Sequence, residues 1–246
     1  MIVRRLVEEL RKRIEEERGE LTYGRGVGIT SLLYCPLKWE YRQKYPDIKV
    51  QNAEIDDGFT FELAMKRILR DLYGDRFVEE KELIYELNGF TIQGHLDGYI
   101  EEEDKVIGLE FKHTKFMKIL ELPENLELDV LDIIDANKIP IVLDIPEHYI
   151  TQAKIQRFIL EKTIDKPVEH YLIIKTTLQK ANGSKRMKKA YIQFPVNTAI
   201  REYELTELIE RFQKNKEPRF SWECRYCPFS EICQHHNHKK ICLQET

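Results

Sequence analysis

Asp97, Glu110 and Lys112 are the residues of this 246-residue chain whose types and spacing could do chemistry. They fall in GHLDGYIEEEDKVIGLEFK, residues 94–112. Apolar and polar residues roughly alternate over 91–100. An acidic run, Glu101 to Asp104, follows, and then a short apolar stretch at 106–111. That pattern predicts two β-strands joined by a turn. On a strand Glu110 and Lys112 share one face and Phe111 takes the other. Pairing the strands would bring Asp97, near the end of the first, beside Glu110. Two carboxylates and a lysine at one point suit metal-dependent phosphodiester hydrolysis. Mg²⁺ and Mn²⁺ take oxygen ligands and keep waters, one of which can become the nucleophile. An adjacent ammonium can orient that water or offset charge on the phosphate. The competing explanation is a surface hairpin of mixed charge, common in a chain with 33% charged residues.

A second set of residues has metal-binding spacing. Cys224, Cys227 and Cys233 give C-x₂-C-x₅-C in WECRYCPFSEIC, and Cys35 stands far upstream in YCPLKWEY. Thiolates in such compact turns bind zinc or iron–sulfur clusters. Zinc, with His235, His236 or His238 as a further ligand, stays open beside a cluster. A zinc ribbon would supply two close cysteine pairs, and this chain has one. Cys242 is left over, as a free thiol in the tail.

The elements around these residues can be placed by periodicity. Val3, Leu6, Leu10 and Ile14 give an amphipathic helix over 3–17. Gly24, Gly26 and Gly28 then form a flexible connector. Thr30 or Ser31 caps one helix, SLLYCPLKWEYRQKY, with Pro36 near its start and Tyr34, Trp39, Tyr41 and Tyr45 as packing residues. A strong helix at 58–73 offers Phe61, Ala64, Met65, Ile68, Leu69 and Leu72 as its apolar face, with Glu62 beside it. A strand at 77–87 leads into the central hairpin. Residues 120–134 are expected to be helical, 147–163 a helix, 169–176 a strand, and 188–196 another after a turn at Asn182 and Gly183. The helix at 198–214 is closed by Pro218. This order predicts an α/β fold with a mixed central sheet flanked by helices, in one folding unit.

Length and composition agree. The chain can bury one good core, and its 42% hydrophobic content fits a soluble globular protein. No run approaches a membrane span, and the charged N-terminus lacks a signal-peptide core, so the expected location is cytoplasmic, without membrane contact. Five cysteines in such a chain point to metal or redox chemistry ahead of disulfides. A net charge of −4 and a pI near 6.0 exclude a protein coated in positive charge. Nucleic acid would need a local basic patch, for which Lys185, Arg186, Lys188 and Lys189 are candidates, as are Lys112, His113, Lys115 and Lys118. Taken alone, either set reads first as a solvated face.

Asp…Glu-x-Lys resembles the PD-(D/E)xK nuclease superfamily, and GHLDGYI followed by GLEFK is similar to its RecB-like branch. One cysteine before the core and three after it, with Cys35–Pro36 and Cys227–Pro228 pairs, resembles the branch members that carry an iron–sulfur cluster. These are the AddB-type nuclease domain and the small CRISPR-associated nucleases of spacer acquisition, the latter being the nearest in length. The resemblance spans about residues 31–233. It implies a restriction-endonuclease-like core at 58–216, an N-terminal helical segment at 1–57 carrying Cys35, and a cysteine segment and tail at 217–246. Cys35, Cys224, Cys227 and Cys233 would hold the cluster, [4Fe–4S] ahead of [2Fe–2S], and so join the two ends of the chain. It further implies a Mn²⁺- or Mg²⁺-dependent DNA exonuclease acting on single strands or frayed ends. Such an enzyme would process fragments for CRISPR spacer acquisition, with integrase proteins as partners. A DNA- or integrase-binding module of the same fold is the alternative, as is a repair or viral nuclease. Gln152 takes the place of the glutamine in the family's Q-x-x-x-Y helix motif, where the tyrosine position is Gln156 here. Glu62 stands where members carry a histidine ligand, so the metal ligands would be Glu62, Asp97 and Glu110.

Overall fold

The computed structural model describes residues 26–48, 53–121, 133–139, 141–180, 187–220 and 222–233. The helix expected at 3–17, the turn at Asn182 and Gly183, Lys185, Arg186, His235, His236, His238 and Cys242 lie outside the described residues.

β2 (Phe77–Leu87) and β3 (Phe90–Glu101) form a long antiparallel hairpin around Asn88 and Gly89. Both turn residues take left-handed backbone, φ 52° and 77°. A two-residue hairpin that follows the strand twist requires this, and an Asn-Gly pair accepts it. After the acidic turn, β4 (Val106–His113) pairs antiparallel with the last part of β3. β4 then runs parallel to β8 (Val168–Lys180), which pairs antiparallel with β9 (Met187–Pro195). Four short strands complete a nine-stranded mixed sheet among the described residues. β1 (Val27–Gly28) lies parallel on β3, β5 (Met117–Glu121) parallel on β8, β6 (Ile133–Asp135) parallel on β9, and β7 (Val142–Leu143) on β5.

Helices cover both faces, as expected. α1 (Ile29–Leu33), α4 (Glu147–Thr163) and α5 (Glu202–Lys214) bury Leu33, Ile155, Ile159, Leu205 and Ile209 against one face. α3 (Ala53–Tyr73) covers the other, where Phe61 and Leu69 pack with Phe77, Ile100, Leu109 and Phe111. Phe111 therefore points to α3, opposite to its neighbours Glu110 and Lys112, as strand alternation requires.

Several expectations are corrected. The helix proposed from Ser31 to Tyr45 is two, α1 and α2 (Pro36–Lys44), with Cys35 in extended backbone between them. Proline disfavours helical geometry in the residue before it and is at home in a first turn. Gly28 is no flexible connector residue, because it belongs to β1. Of the helix proposed over 120–134, Leu120 belongs to β5 and Ile133 to β6, and residues 122–132 lie outside the described residues. Met117 and Ile119 are buried while Lys118 and Leu120 are exposed, a period of two. The buried stripe of α3 is also narrower than expected: Ala64, Ile68 and Leu72 are exposed, whereas Lys66 is buried.

His170 is held in the core without a hydrogen bond. It pairs in register with Gly108, its ring is buried, and neither nitrogen has a partner. A methyl group on Gly108 would collide with the imidazole and crowd Leu160. Burial, reinforced by the Arg157 charge, pulls the ring from its ordinary 6.5 down to about 3. Between those values the unfolded chain takes up a proton that the folded chain refuses, so stability falls as pH falls through that window. Denaturant midpoints measured from pH 7 to about pH 4 should drop for the parent, and drop less for His170→Leu.

Candidate active site

β3 has two edges, and along one of them β2 pairs from Phe90 to Ile100 except at Asp97. On the other, β1 pairs at Ile92 and Gln93 and β4 pairs from Gly98 onward. Residues 94–97 lie in the gap between them. The last registered pair of β3 and β4 is Gly98 with Leu109, so one further step puts Asp97 opposite Glu110. The two strands part at that step. The Phe111 N–H donates to Asp97 Oδ2 at 2.6 Å, closing the fork.

Glu110 is 1% exposed, and side chains satisfy both of its oxygens. The Lys112 ammonium and Gln152 Nε2 (2.6 Å) donate to Oε1, and Gln156 Nε2 donates to Oε2 at 2.6 Å. Gln156 also donates to the His95 carbonyl at 3.2 Å, supplying the partner this backbone group lacks in the gap between β1 and β4. Both of its acceptors demand the NH₂ group, which leaves the buried Gln156 Oε1 without a donor. α4 thus presents two glutamines, one turn apart, to one carboxylate.

The structure brings Asp97, Glu110, Lys112 and Gln152 together. Burial, then the Glu110 charge, then the Glu62 charge push the Asp97 carboxyl well above its usual range, against the pull of Lys112. Burial would lower the Lys112 ammonium, but Glu110 and Asp97 outweigh it and leave the group raised. Glu62 faces the same region, half-buried, with Lys66 Nζ at 2.7 Å from its Oε1. Lys66 reaches Glu80 as well, at 2.8 Å. Lys66 and Glu80 were not legible as site residues, and Gln156 was marked only as the tyrosine position of the helix motif. The available signals were spacings: Gln156 follows Gln152 by four, and Lys66 follows Glu62 by four.

Among the described residues no three His, Cys, Asp or Glu side chains converge on a single ion. The carboxylate site is nonetheless suited to a hard cation, because Mg²⁺ is usually held through one or two carboxylates together with water and substrate phosphate. Asp97 and Glu110 already repel each other in a buried place, which a cation would relieve.

Cys35, Cys224, Cys227 and Cys233 form no disulfide and line one cavity of about 20 Å³ with Lys38, Tyr41 and Glu223. Burial pushes the Cys35 thiol up to about 11 and raises Cys227 as well. Their donor chemistry fits a soft metal group, and binding one would release protons. Glu223 fastens the two chain segments here. Its buried carboxylate accepts from the Cys35 N–H (2.7 Å) and from the Phe220 N–H (2.7 Å).

With this geometry the chain is similar to the CRISPR-associated exonuclease Cas4 of Saccharolobus solfataricus. The two are 23% identical over 234 residues, 91% of this chain and 95% of that protein. The solved structure of SSO0001 matches with a TM-score of 0.60 at 22% identity, covering 95% of this chain and 96% of that one. The fold is shared. No protein-family model matches the chain.

Gln156→Leu should strand Glu110 Oε2 and the His95 carbonyl in a buried site. We expect a loss of about 1–3 kcal/mol in urea unfolding. Gln156→Glu should cost more, because it sets a second carboxylate against Glu110.

Proposed function

We propose that this protein is a metal-dependent deoxyribonuclease that trims single strands or frayed ends and serves in preparing DNA for CRISPR spacer acquisition. The observation that carries the reading is Asp97 opposite Glu110 at a strand fork, with Lys112 seated on Glu110. The similarity to a CRISPR-associated exonuclease over nearly the whole chain supports it. Glu62, Asp97 and Glu110 would hold Mn²⁺ or Mg²⁺, which when bound lowers the pKa of water and neutralises phosphate charge. Gln152 and Gln156 hold the Glu110 carboxylate in one orientation. Lys112, tied to Glu110 but 21% exposed, can donate to a phosphate oxygen or to the attacking water. Hydrolysis adds that water across one P–O bond and releases a shortened strand. Integrase proteins are the proposed partners. Among the described residues no helix is long and apolar enough to cross a membrane.

Labelled single-stranded and duplex DNA incubated with Mn²⁺, Mg²⁺ or EDTA tests the activity. Asp97→Ala, Glu110→Ala and Lys112→Ala should each lose at least about 100-fold in cleavage, with Lys112→Ala still binding Mn²⁺. Glu62→Ala should weaken Mn²⁺ binding and cutting, and Glu62→His should restore Mn²⁺-dependent cutting. Three alanine variants as fast as the parent would assign the activity elsewhere.

We further propose that Cys35, Cys224, Cys227 and Cys233 hold an iron–sulfur cluster, [4Fe–4S] ahead of [2Fe–2S]. Four cysteines, one from the segment before the core and three from the segment after it, line one cavity, and that donor set supports the reading. Anaerobically purified protein should be brown, and any one Cys→Ala change should remove the colour and lower thermal stability. Colourless protein holding one zinc would reverse this reading.

A further inference from the structure

The buried stripe of α3 contains a lysine. Lys66 is 4% exposed, as deeply placed as Phe61 and deeper than Leu69 on the same helix. Its ammonium lies 2.7 Å from Glu62 Oε1 and 2.8 Å from Glu80 Oε1. Glu62 stands one turn back on α3. Glu80 stands where the β2–β3 ladder skips a pair, with Asp97 opposite. Asp97 also lies within reach of the Lys66 charge. Burying an ammonium is unfavourable unless opposite charge surrounds it, and here two carboxylates do.

The arrangement is that of a cation between two ligands. Mg²⁺ binds carboxylate oxygens at about 2.0–2.1 Å, so an ion in the place of this nitrogen would ask each oxygen to close in by less than about 1 Å. Charge points the same way. Glu62, Glu80, Asp97 and Glu110 bring four carboxylates to this region, and Lys66 and Lys112 bring two ammoniums. The two negative charges left over match one divalent cation. Arg70, one turn beyond Lys66, is committed to Glu79 at 2.5 Å and changes neither count.

We propose that Lys66 takes the place of a second divalent ion, so that the site binds one Mn²⁺ or Mg²⁺, through Asp97, Glu110 and the other oxygen of Glu62. The inference deepens the nuclease reading and rests on it for its ion. Lys66 is a positioning residue in this account, because it acts through Glu62 and touches neither ion nor substrate. Its charge is fixed to the fold and is present whether or not an ion is bound. A role confined to steadying the bend at Glu80 would leave the number of bound ions unchanged when Lys66 is replaced, and this separates the two explanations.

The test counts bound ions. Mn²⁺ is titrated into the full chain, freed beforehand of divalent metal, and the loss of the free-ion electron paramagnetic resonance signal is read. The parent should bind one equivalent. Lys66→Met keeps an unbranched apolar stem but removes the charge, and it should bind two. Adding Glu80→Gln to Lys66→Met should return the count to one, and Lys66→Arg should stay at one. Lys66→Gln repeats the test if Lys66→Met does not fold, and the count in the parent stands whichever variant folds. A parent that binds two equivalents or none, a neutral Lys66 variant that binds one, or a double variant that still binds two would overturn the inference. A parent that binds two and cuts DNA keeps the nuclease reading and loses this one. A parent that binds one, with Lys66→Met binding two, but never cuts does the reverse.

Discussion

Burying a carboxylate costs several kcal/mol unless charge and hydrogen bonds answer it. Glu110 is such a group, and much of the architecture around it answers that cost. Lys112 comes from the same strand two residues on, and Gln152 and Gln156 come from the helix packed over it. α4 must therefore lie over the end of β4 at one rotation, and its apolar residues Ala153, Ile155 and Ile159 fix that rotation. Asp97 then meets a neighbour whose charge it cannot escape. The two carboxylates are held side by side by the protein's own donors.

The segment carrying three cysteines is fastened to the body by polar and aromatic contacts. Glu223 accepts from backbone on both sides of the join. Tyr41 stacks on the fully buried Phe229 at 5.7 Å, and Trp39 packs edge-on to Phe212 at 5.8 Å. The segment around Cys35 and the segment from Phe220 to Cys233 thus meet at the cavity through the protein's own contacts. Closing a loop of nearly 190 residues at that point limits the unfolded state, and the logarithmic growth of that term makes its exact length unimportant.

The sequence carried the central hairpin, the alternation across Glu110, Phe111 and Lys112, the long helices, and the mixed sheet. Those signals are local: period two, period 3.6, and turn residues. It did not carry the role of Gln156, because a buried glutamine is recognised by what it touches and its partners lie 46 and 61 residues away. It misled at Leu120 and at Ile133, which belong to two separate strands. Pro36 did mark a helix start, but its effect on Cys35 was underweighted. The Asn88–Gly89 turn was a clear signal that the reading left unused.

Glu80 shows how tertiary demand overrides local pattern at the site. It is a non-glycine residue in the middle of a strand with φ at 50°, and the β2–β3 ladder skips it and Asp97 opposite. In a regular strand Phe77, Leu83 and Leu87 would share a face. Here Phe77 packs under α3 while Leu83 and Leu87 pack under α1 and α4, so the pattern changes face across Glu80. Such a backbone costs about 1–3 kcal/mol and persists where surrounding contacts hold it. Lys66, buried on α3, bonds both Glu80 and Glu62. Glu62 is consequently no solvated helix residue: the same ammonium that steadies the broken strand fixes Glu62 within electrostatic reach of Asp97. The break frees Asp97 from the ladder on the β2 side, and the fork with β4 frees it on the other. A carboxylate released on both edges of its strand, with a second opposite and a third pinned nearby, is a place where backbone strain has been exchanged for chemical access.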